Sequence, residues 1–342
     1  MTGVVVTSIA SPNEALGQIA AGCRDAGWRF WNIGDVQGPT DFSLHGCDFL
    51  NVEQQRRTGF ELARLAPVRR YARKNIGYLL AIQAGVEALV ETDDDNIPYP
   101  EFWAPRSPEQ RARRIAGIGW VNVYRYFTAA RIWPRGFPLE HVSDEPPAPD
   151  TLPEAAARCA IQQGLANRNP DVDAIYRLVL PLPLDFDRRP GVILGAGAWC
   201  PFNSQNTTWF PEAFPLLYLP FHCSFRMTDI WRSFVAQRIC WENGWNILFH
   251  APTVCQDRNV HDLMRDFTDE LPGYLNNARI RRELERLDLT SGAEALDANL
   301  LKSYEALVKL DLIGAAEIPL VEAWIGDLRQ MVRRTPPAGE DL

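Results

Sequence analysis

The sequence predicts an α/β protein built on a doubly wound sheet, followed by a helical C-terminal part. Short β-branched runs alternate with helically spaced apolar residues through the N-terminal third. Turn residues and carboxylates close those runs, and from about residue 275 apolar side chains recur at i+3/i+4. The chain has 342 residues, enough for roughly two domains of usual size. Its 46% hydrophobic and 23% charged residues exclude a mainly disordered chain. The 35 basic and 43 acidic residues leave a formal net charge of −8, so no overall attraction to nucleic acid or anionic lipid is expected. Seven scattered cysteines lack the pair spacing of a zinc site and are read as reduced thiols. No apolar run reaches the roughly 18 residues of a membrane span, and no signal peptide opens the chain. A soluble, cytoplasmic protein is expected, with its oligomeric state open.

Taken in order, Gly3–Ser8 reads as a strand, and Ala15, Ile19, Ala20 and Cys23 mark the helix after it. Trp28–Ile33 reads as a second strand that ends in Gly34-Asp35, which places a carboxylate at its C-terminal end. One helical stretch covers Val52–Leu65 and another Tyr71–Gly85, where Ala72, Ile76, Leu79 and Leu80 share a face. Ala88–Thr92 is a third strand, running straight into Asp93-Asp94-Asp95-Asn96. The βαβ rhythm implies parallel pairing. The middle of the chain is rich in proline and aromatics and reads as long shaped loops, with Trp133–Pro138 and Pro146–Pro149 as its strongest breakers. Thr228 or Asp229 is positioned to cap a helix through Ile239, and Gly244–Phe249 is the strand beyond it. Thr335–Leu342 reads as a frayed tail.

Three consecutive carboxylates repel by roughly 1 kcal/mol per neighbouring pair even in water, so a triplet at the end of a buried strand calls for a cation. Mg²⁺ or Mn²⁺ takes oxygen ligands and is commonly completed by substrate phosphates, which predicts a diphosphate at the sheet edge. The alternative is a solvated acidic turn. A phosphatase or EF-hand pattern fails at Ile97. Arg73 and Lys74 near a helix start conflict with the macrodipole unless an anion sits there; otherwise they are solvated on the outer face. Asp229 reads as a helix cap or as a carboxylate able to take a proton from a hydroxyl. His250, Asp257, Arg258 and His261 could complete a metal or phosphate site. Asn203–Asn206, set among Trp199, Phe202 and Trp209, suits sugar hydroxyls against aromatic faces, or an ordinary turn. Gly195-Ala196-Gly197 lacks the third glycine of a dinucleotide fingerprint.

Arg73-Lys74-Asn75-Ile76-Gly77-Tyr78 followed by Thr92-Asp93-Asp94-Asp95-Asn96 resembles the signature of the STELLO-type glycosyltransferases. The resemblance extends over about residues 3–275. It continues through Trp133–Pro138, Ile161-Gln162-Gln163-Gly164-Leu165, Asn169–Ile175, Phe202–Thr207 and Cys255-Gln256-Asp257-Arg258-Asn259. More distantly, the order Asp-Asp-Asp, Pro-Arg-Gly-aromatic-Pro, Pro-Asp-x-Asp-Ala is similar to the reversibly glycosylated polypeptides, which include UDP-arabinopyranose mutases.

These resemblances imply a GT-A-like mixed sheet. Residues 1–270 would form the nucleotide-sugar-binding catalytic domain, 271–334 a helical C-terminal subdomain and 335–342 a flexible tail. They imply a UDP-type sugar donor held through Mn²⁺ or Mg²⁺ on Asp93 and Asp95, with Asp257 as a further ligand. The donor would be contacted by Thr7, Asp35, Arg73, Lys74, Asn75, Asp94, Asn203, Gln205 and Arg258. Thr228-Asp229 is similar to the Glu-Asp motif of inverting transferases, which makes Asp229 the base for a saccharide or glycan acceptor. Arg135 matters more if the enzyme is instead a nucleotide-sugar mutase. A third reading is a non-catalytic scaffold. The plant members are Golgi membrane proteins, whereas the sequence here predicts no anchor.

Overall fold

The computed structural model describes residues 1–258 and 262–334; His261 and the expected tail lie outside the described residues. The chain opens as expected. β1 (Thr2–Thr7) is followed by α1 (Glu14–Ala26), whose first turn is capped by the Asn13 side chain accepting from the Leu16 N–H. Gly27, at φ 67°, ends that helix in the left-handed conformation and turns the chain into β2 (Arg29–Ile33). β3 (Asp48–Leu50) follows at the sheet edge. The single helix expected over 52–65 is two short ones, α2 (Val52–Arg56) and α3 (Glu61–Leu65), because Gly59 takes φ 83° between them. A 3₁₀ turn at Tyr71–Arg73 leads into α4 (Lys74–Gln83), and β4 (Ala88–Thr92) ends at the carboxylate triplet.

β1 pairs parallel with β2 and β4, and β2 with β3, so the parallel expectation holds for this half. The rest of the sheet is mixed. It contains β5 (Asn96–Pro98), β6 (Glu109–Ile115), β8 (Glu154–Asn167), β9 (Val192–Leu194), β11 (Asn206–Trp209) and β12 (Asn246–Gln256). β7 (Gly119–Trp120) and β10 (Ala198–Trp199) form a separate parallel pair. The ten-stranded order is β3-β2-β1-β4-β11-β8-β6-β9-β12-β5, with β8 also paired to β12. Antiparallel β11 joins the two halves between β4 and β8.

The middle of the chain departs from the loop expectation. The stretch from Val121 to Pro153 holds only short 3₁₀ turns, but β8 is a 14-residue strand through Ile161–Leu165. Its alanine-rich sequence carries little strand propensity; pairing with β6, β11 and β12 decides its form. After α5 (Ala174–Val179), the helix expected before β12 is α6 (Thr228–Glu242).

The C-terminal helices begin earlier than expected, with α7 at Leu263–Arg286, then α8 (Leu296–Lys309) and α9 (Ile318–Arg334). Leu300, Tyr304, Leu307, Val321 and Trp324 belong to the same buried cluster as Tyr218, Trp231 and Phe234. The Tyr304 hydroxyl donates to the Tyr218 carbonyl at 2.9 Å, and the Asp327 carboxylate accepts the Glu61 and Leu62 N–H groups at 2.9 Å, capping α3 from another element. Among the described residues no helix is long and apolar enough to cross a membrane.

Candidate active site

A cavity of about 430 Å³ opens where β1 and β4 end, the position that open α/β sheets offer to ligands. It brings together most of the residues singled out above: Thr7, Asp35, Asp93, Asp94, Asp95, Arg135, Gln205, Asp229 and Arg258 all line it.

At one end stands the Asp93–Asp95 turn. Asp94 accepts a hydrogen bond from Ser8 Oγ at the end of β1, and Asn13 donates to the Asp94 carbonyl at 2.9 Å. The turn is thus tied to the N-cap of α1. Asp95 accepts from Gln256 Nε2 at 3.0 and 3.2 Å, a contact made possible by antiparallel pairing of β5 with the end of β12. Asp93 accepts from the Tyr71 hydroxyl at 2.9 Å and from Lys74 Nζ at 3.2 Å. Burial pushes Asp95 up to about 7, reinforced by the charges of Asp93 and Asp94. Asp93 is also raised by burial, against the pull of Lys74 and Tyr71.

A divalent cation fits this chemistry: clustered hard oxygen donors, two of them carboxylates whose ionisation is held back by burial and mutual repulsion. Gln256 Oε1 is buried without a hydrogen-bond partner beside them. Among the described residues no group of three acidic, histidine or cysteine side chains forms a ready-made metal cage, so other oxygens would complete the shell. Asp257 is held by its backbone N–H to the Asp95 carbonyl at 2.9 Å, but its side chain is 71% exposed and points out of the cavity lining.

The other end is assembled differently. The Arg135 guanidinium bridges two buried carboxylates, Asp171 at 2.8 and 2.9 Å and Asp229 at 2.9 and 3.0 Å, and also donates to the Arg226 carbonyl. Asp229 further accepts from Ser204 N and Oγ at 3.2 Å. Burial alone would raise Asp229, yet Arg135 brings it down to about 2. This is a weaker proton acceptor than an ordinary carboxylate. Neither expected residue is the N-cap of α6: Met227 holds that position without a side-chain cap, while Asp229, inside the first turn, accepts the Ile230 N–H at 3.0 Å as well as pairing with Arg135.

The two ends touch through hydroxyls. Tyr71 Oη lies 2.6 Å from Ser204 Oγ, which in turn reaches Asp229. Lys74 Nζ is fully buried behind this contact, on Tyr71 Oη and the carbonyls of Thr92 and Ser204, at 2.7 to 3.2 Å. The cation at the start of α4 is therefore answered from inside the protein. Arg73 and Asn75 are likewise buried and engaged, Arg73 on Gln55 and the Ala66 carbonyl, Asn75 on the backbone of Leu219. Asn203 lies behind the wall, accepting from Gln205 N. Trp199, Phe202 and Trp209 are core residues, so the aromatic faces expected beside Asn203–Asn206 are not open to a sugar. His250 is half-buried outside the cavity lining, and desolvation pushes it down to about 4.

Sequence reasoning missed Ser8, Arg69, Arg70, Tyr71, Gln256, Phe225 and Arg226 in the cavity wall. Tyr71 and Gln256 sat inside or beside quoted motifs, the one signal available. Phe225 is 59% exposed at this wall and packs edge-on against Tyr71. Arg226 and Arg258 line the cavity while ion-paired to Glu270 and Asp266 of α7.

Comparison with known proteins agrees with the resemblance in the motifs. The model of the STELLO glycosyltransferases matches residues 226–338. Two Arabidopsis thaliana proteins, probable glycosyltransferases STELLO2 and STELLO1, are each 27% identical to this chain over 97% and 95% of its length. The chain spans less than half the length of these curated relatives, 45% and 44%. A solved structure described as a crystal structure of a mycobacterial protein is similar at a TM-score of 0.40 and 11% identity, over 82% of this chain and 74% of that one. In its C-terminal third by the family model, and along nearly all of its length by comparison with the two plant proteins, the chain is similar to the STELLO glycosyltransferases.

Proposed function

We propose that the protein is a metal-dependent glycosyltransferase that moves a sugar from a nucleotide-diphosphate donor, a UDP-sugar, to a hydroxyl of a saccharide acceptor. The observation that carries this reading is the Asp93–Asp95 turn at the end of β4, whose three part-buried carboxylates line a cavity of about 430 Å³ with Lys74 pairing only Asp93 among them. Mn²⁺ or Mg²⁺ on Asp93 and Asp95 would supply electrostatic stabilisation of the leaving diphosphate. The chain's own residues do the rest. Lys74 fixes Asp93 from behind, Gln256 orients Asp95, and Ser8 holds Asp94 toward β1. Asp229 and Arg135 face the donor from the opposite end. In this reading Asp229 receives the acceptor proton once substrate loosens its pairing with Arg135, since paired it is too weak a base.

A second reading, a nucleotide-sugar mutase, is favoured by one observation: Arg135 lies in the cavity wall with both flanking carboxylates bound to it. Incubation of the protein with UDP-sugars and Mn²⁺, with and without a panel of saccharides, separates the two. Free UDP that accumulates only with an acceptor supports the transferase. Ring-isomerised donor without net UDP release supports the mutase. A thermal-shift screen in which no nucleotide sugar stabilises the protein, with or without Mn²⁺, would contradict both.

A further inference from the structure

The cations first expected to hold a diphosphate, Arg73, Lys74 and Arg258, are committed elsewhere: the first two are fully buried, and the third is ion-paired to Asp266. Two other guanidiniums stand in the cavity wall. Arg69 and Arg70 are both exposed, both line the cavity that holds the carboxylate turn, and neither guanidinium has a carboxylate ion-pair partner among the described residues. An exposed arginine pair needs no explanation by itself. The backbone beneath this pair does.

Arg69 sits at φ 59°, in the left-handed region that costs a residue with a Cβ on the order of 1 kcal/mol. Such a conformation persists only where its surroundings impose it, and here they do so from both sides. On one side the buried Arg73 guanidinium donates to the carbonyls of Ala66 at 3.0 Å and Pro67 at 3.3 Å, and is itself held by Gln55 at 2.8 Å. Gln55 in turn donates to the carbonyls of Gly34 and Leu50 at 2.7 Å, anchoring the assembly to the ends of β2 and β3. On the other side the Arg70 N–H donates to Asp35 Oδ2 at 2.9 Å. Burial lowers Arg73 to about 10, so keeping a charged group there is costly, and what it secures is the loop that presents Arg69 and Arg70.

We propose that Arg69 and Arg70 form the anion-holding wall of the site, binding the diphosphate of the nucleotide donor. The assignment rests on the nucleotide-sugar reading above for the identity of the ligand, but the anion site stands on its own geometry. Arg73, Gln55 and Asp35 are positioning residues that act through the loop. A diphosphate in the cavity would meet two guanidinium forks, which suit planar, bidentate phosphate recognition, while a metal held by Asp93 and Asp95 would add further counter-charge.

Calorimetry with inorganic pyrophosphate and with UDP, each in Mn²⁺, tests the assignment on wild type, Arg69→Gly, Arg70→Gln and the double variant. Each single change is expected to weaken pyrophosphate binding roughly tenfold or more, the size expected for losing a charged hydrogen bond, with Arg69→Lys intermediate. Glycine accepts φ 59° freely, so Arg69→Gly should leave the melting temperature of the unliganded protein unchanged or raised while affinity falls, a split that a merely structural arginine would not produce. Pyrophosphate affinity in the double variant within twofold of wild type, or no pyrophosphate binding by wild type, overturns the proposal. Wild type that binds pyrophosphate through these arginines but does not bind UDP leaves the anion site standing and removes the nucleotide reading instead.

Discussion

The two ends of the cavity hold their carboxylates in opposite conditions. At the Arg135 end every charge has a partner: one guanidinium serves two aspartates, Ser204 adds two donors, and Asp229 sits at about 2. At the Asp93–Asp95 end Lys74 pairs with Asp93 alone, the neutral Ser8 and Gln256 side chains hold Asp94 and Asp95, and burial drives Asp95 up to about 7. Both clusters are built from the same residue type, and Asp229 is the more buried yet is the one held low, so the contrast comes from counter-charge and not from burial. One end is finished within the protein. The other leaves Asp94 and Asp95 without an ion-pair partner among the described residues.

Breaking each end should therefore move stability in opposite directions. The largest effect is expected for Arg135→Met, which strands Asp171 and Asp229 in the interior and should cost about 3–5 kcal/mol by chemical denaturation. Loss below about 1 kcal/mol would mean that the triad is not the closed unit described. Asp95→Asn should do the reverse. Because the folded-state pKa of Asp95 lies above its unfolded value, the folded protein holds that proton more tightly, and stability falls as pH rises from about 4 to about 7. Removing the charge should raise unliganded stability by roughly 1–3 kcal/mol above pH 7 and leave it nearly unchanged near pH 4. Asp229 has the opposite sign: its depressed pKa contributes stability at neutral pH that is lost as pH falls from about 4 to about 2, a loss that Asp229→Asn should abolish. The smallest change, Tyr71→Phe, removes the hydroxyl that joins the ends and should cost about 1–2 kcal/mol. If its cost is fully additive with that of Asp229→Asn, the hydroxyl bridge does not couple the two ends.

Much of the parallel half was legible in the sequence because its signals are local: a β-branched run, an Asn cap before a helical period, glycine at a helix end. The carboxylate triplet was legible for the same reason, since repulsion between neighbours needs no tertiary information. What could not be read was partnership over distance. Arg135 meets Asp229 across 94 residues, and that contact turns an expected base into a strongly paired anion. Lys74 and Arg73 read as cations at a helix start, yet carbonyls and side chains up to 130 residues away take them inward. Arg69 carried no signal at all, because its distinction is a backbone angle set by Arg73 and Asp35. Strand β8 was hidden because its alanines and glutamines favour no strand until three neighbours pair with it.

The measurement that bears most directly on the account is the binding of Mn²⁺ in the presence of UDP, followed by the electron paramagnetic resonance of the free ion at pH 8. Wild type is expected to bind saturably, Asp95→Asn to lose roughly tenfold or more in affinity, and Asp229→Asn to stay within about twofold of wild type, because Arg135 already answers the charge of Asp229. Equal affinity of wild type and Asp95→Asn for Mn²⁺ would contradict it.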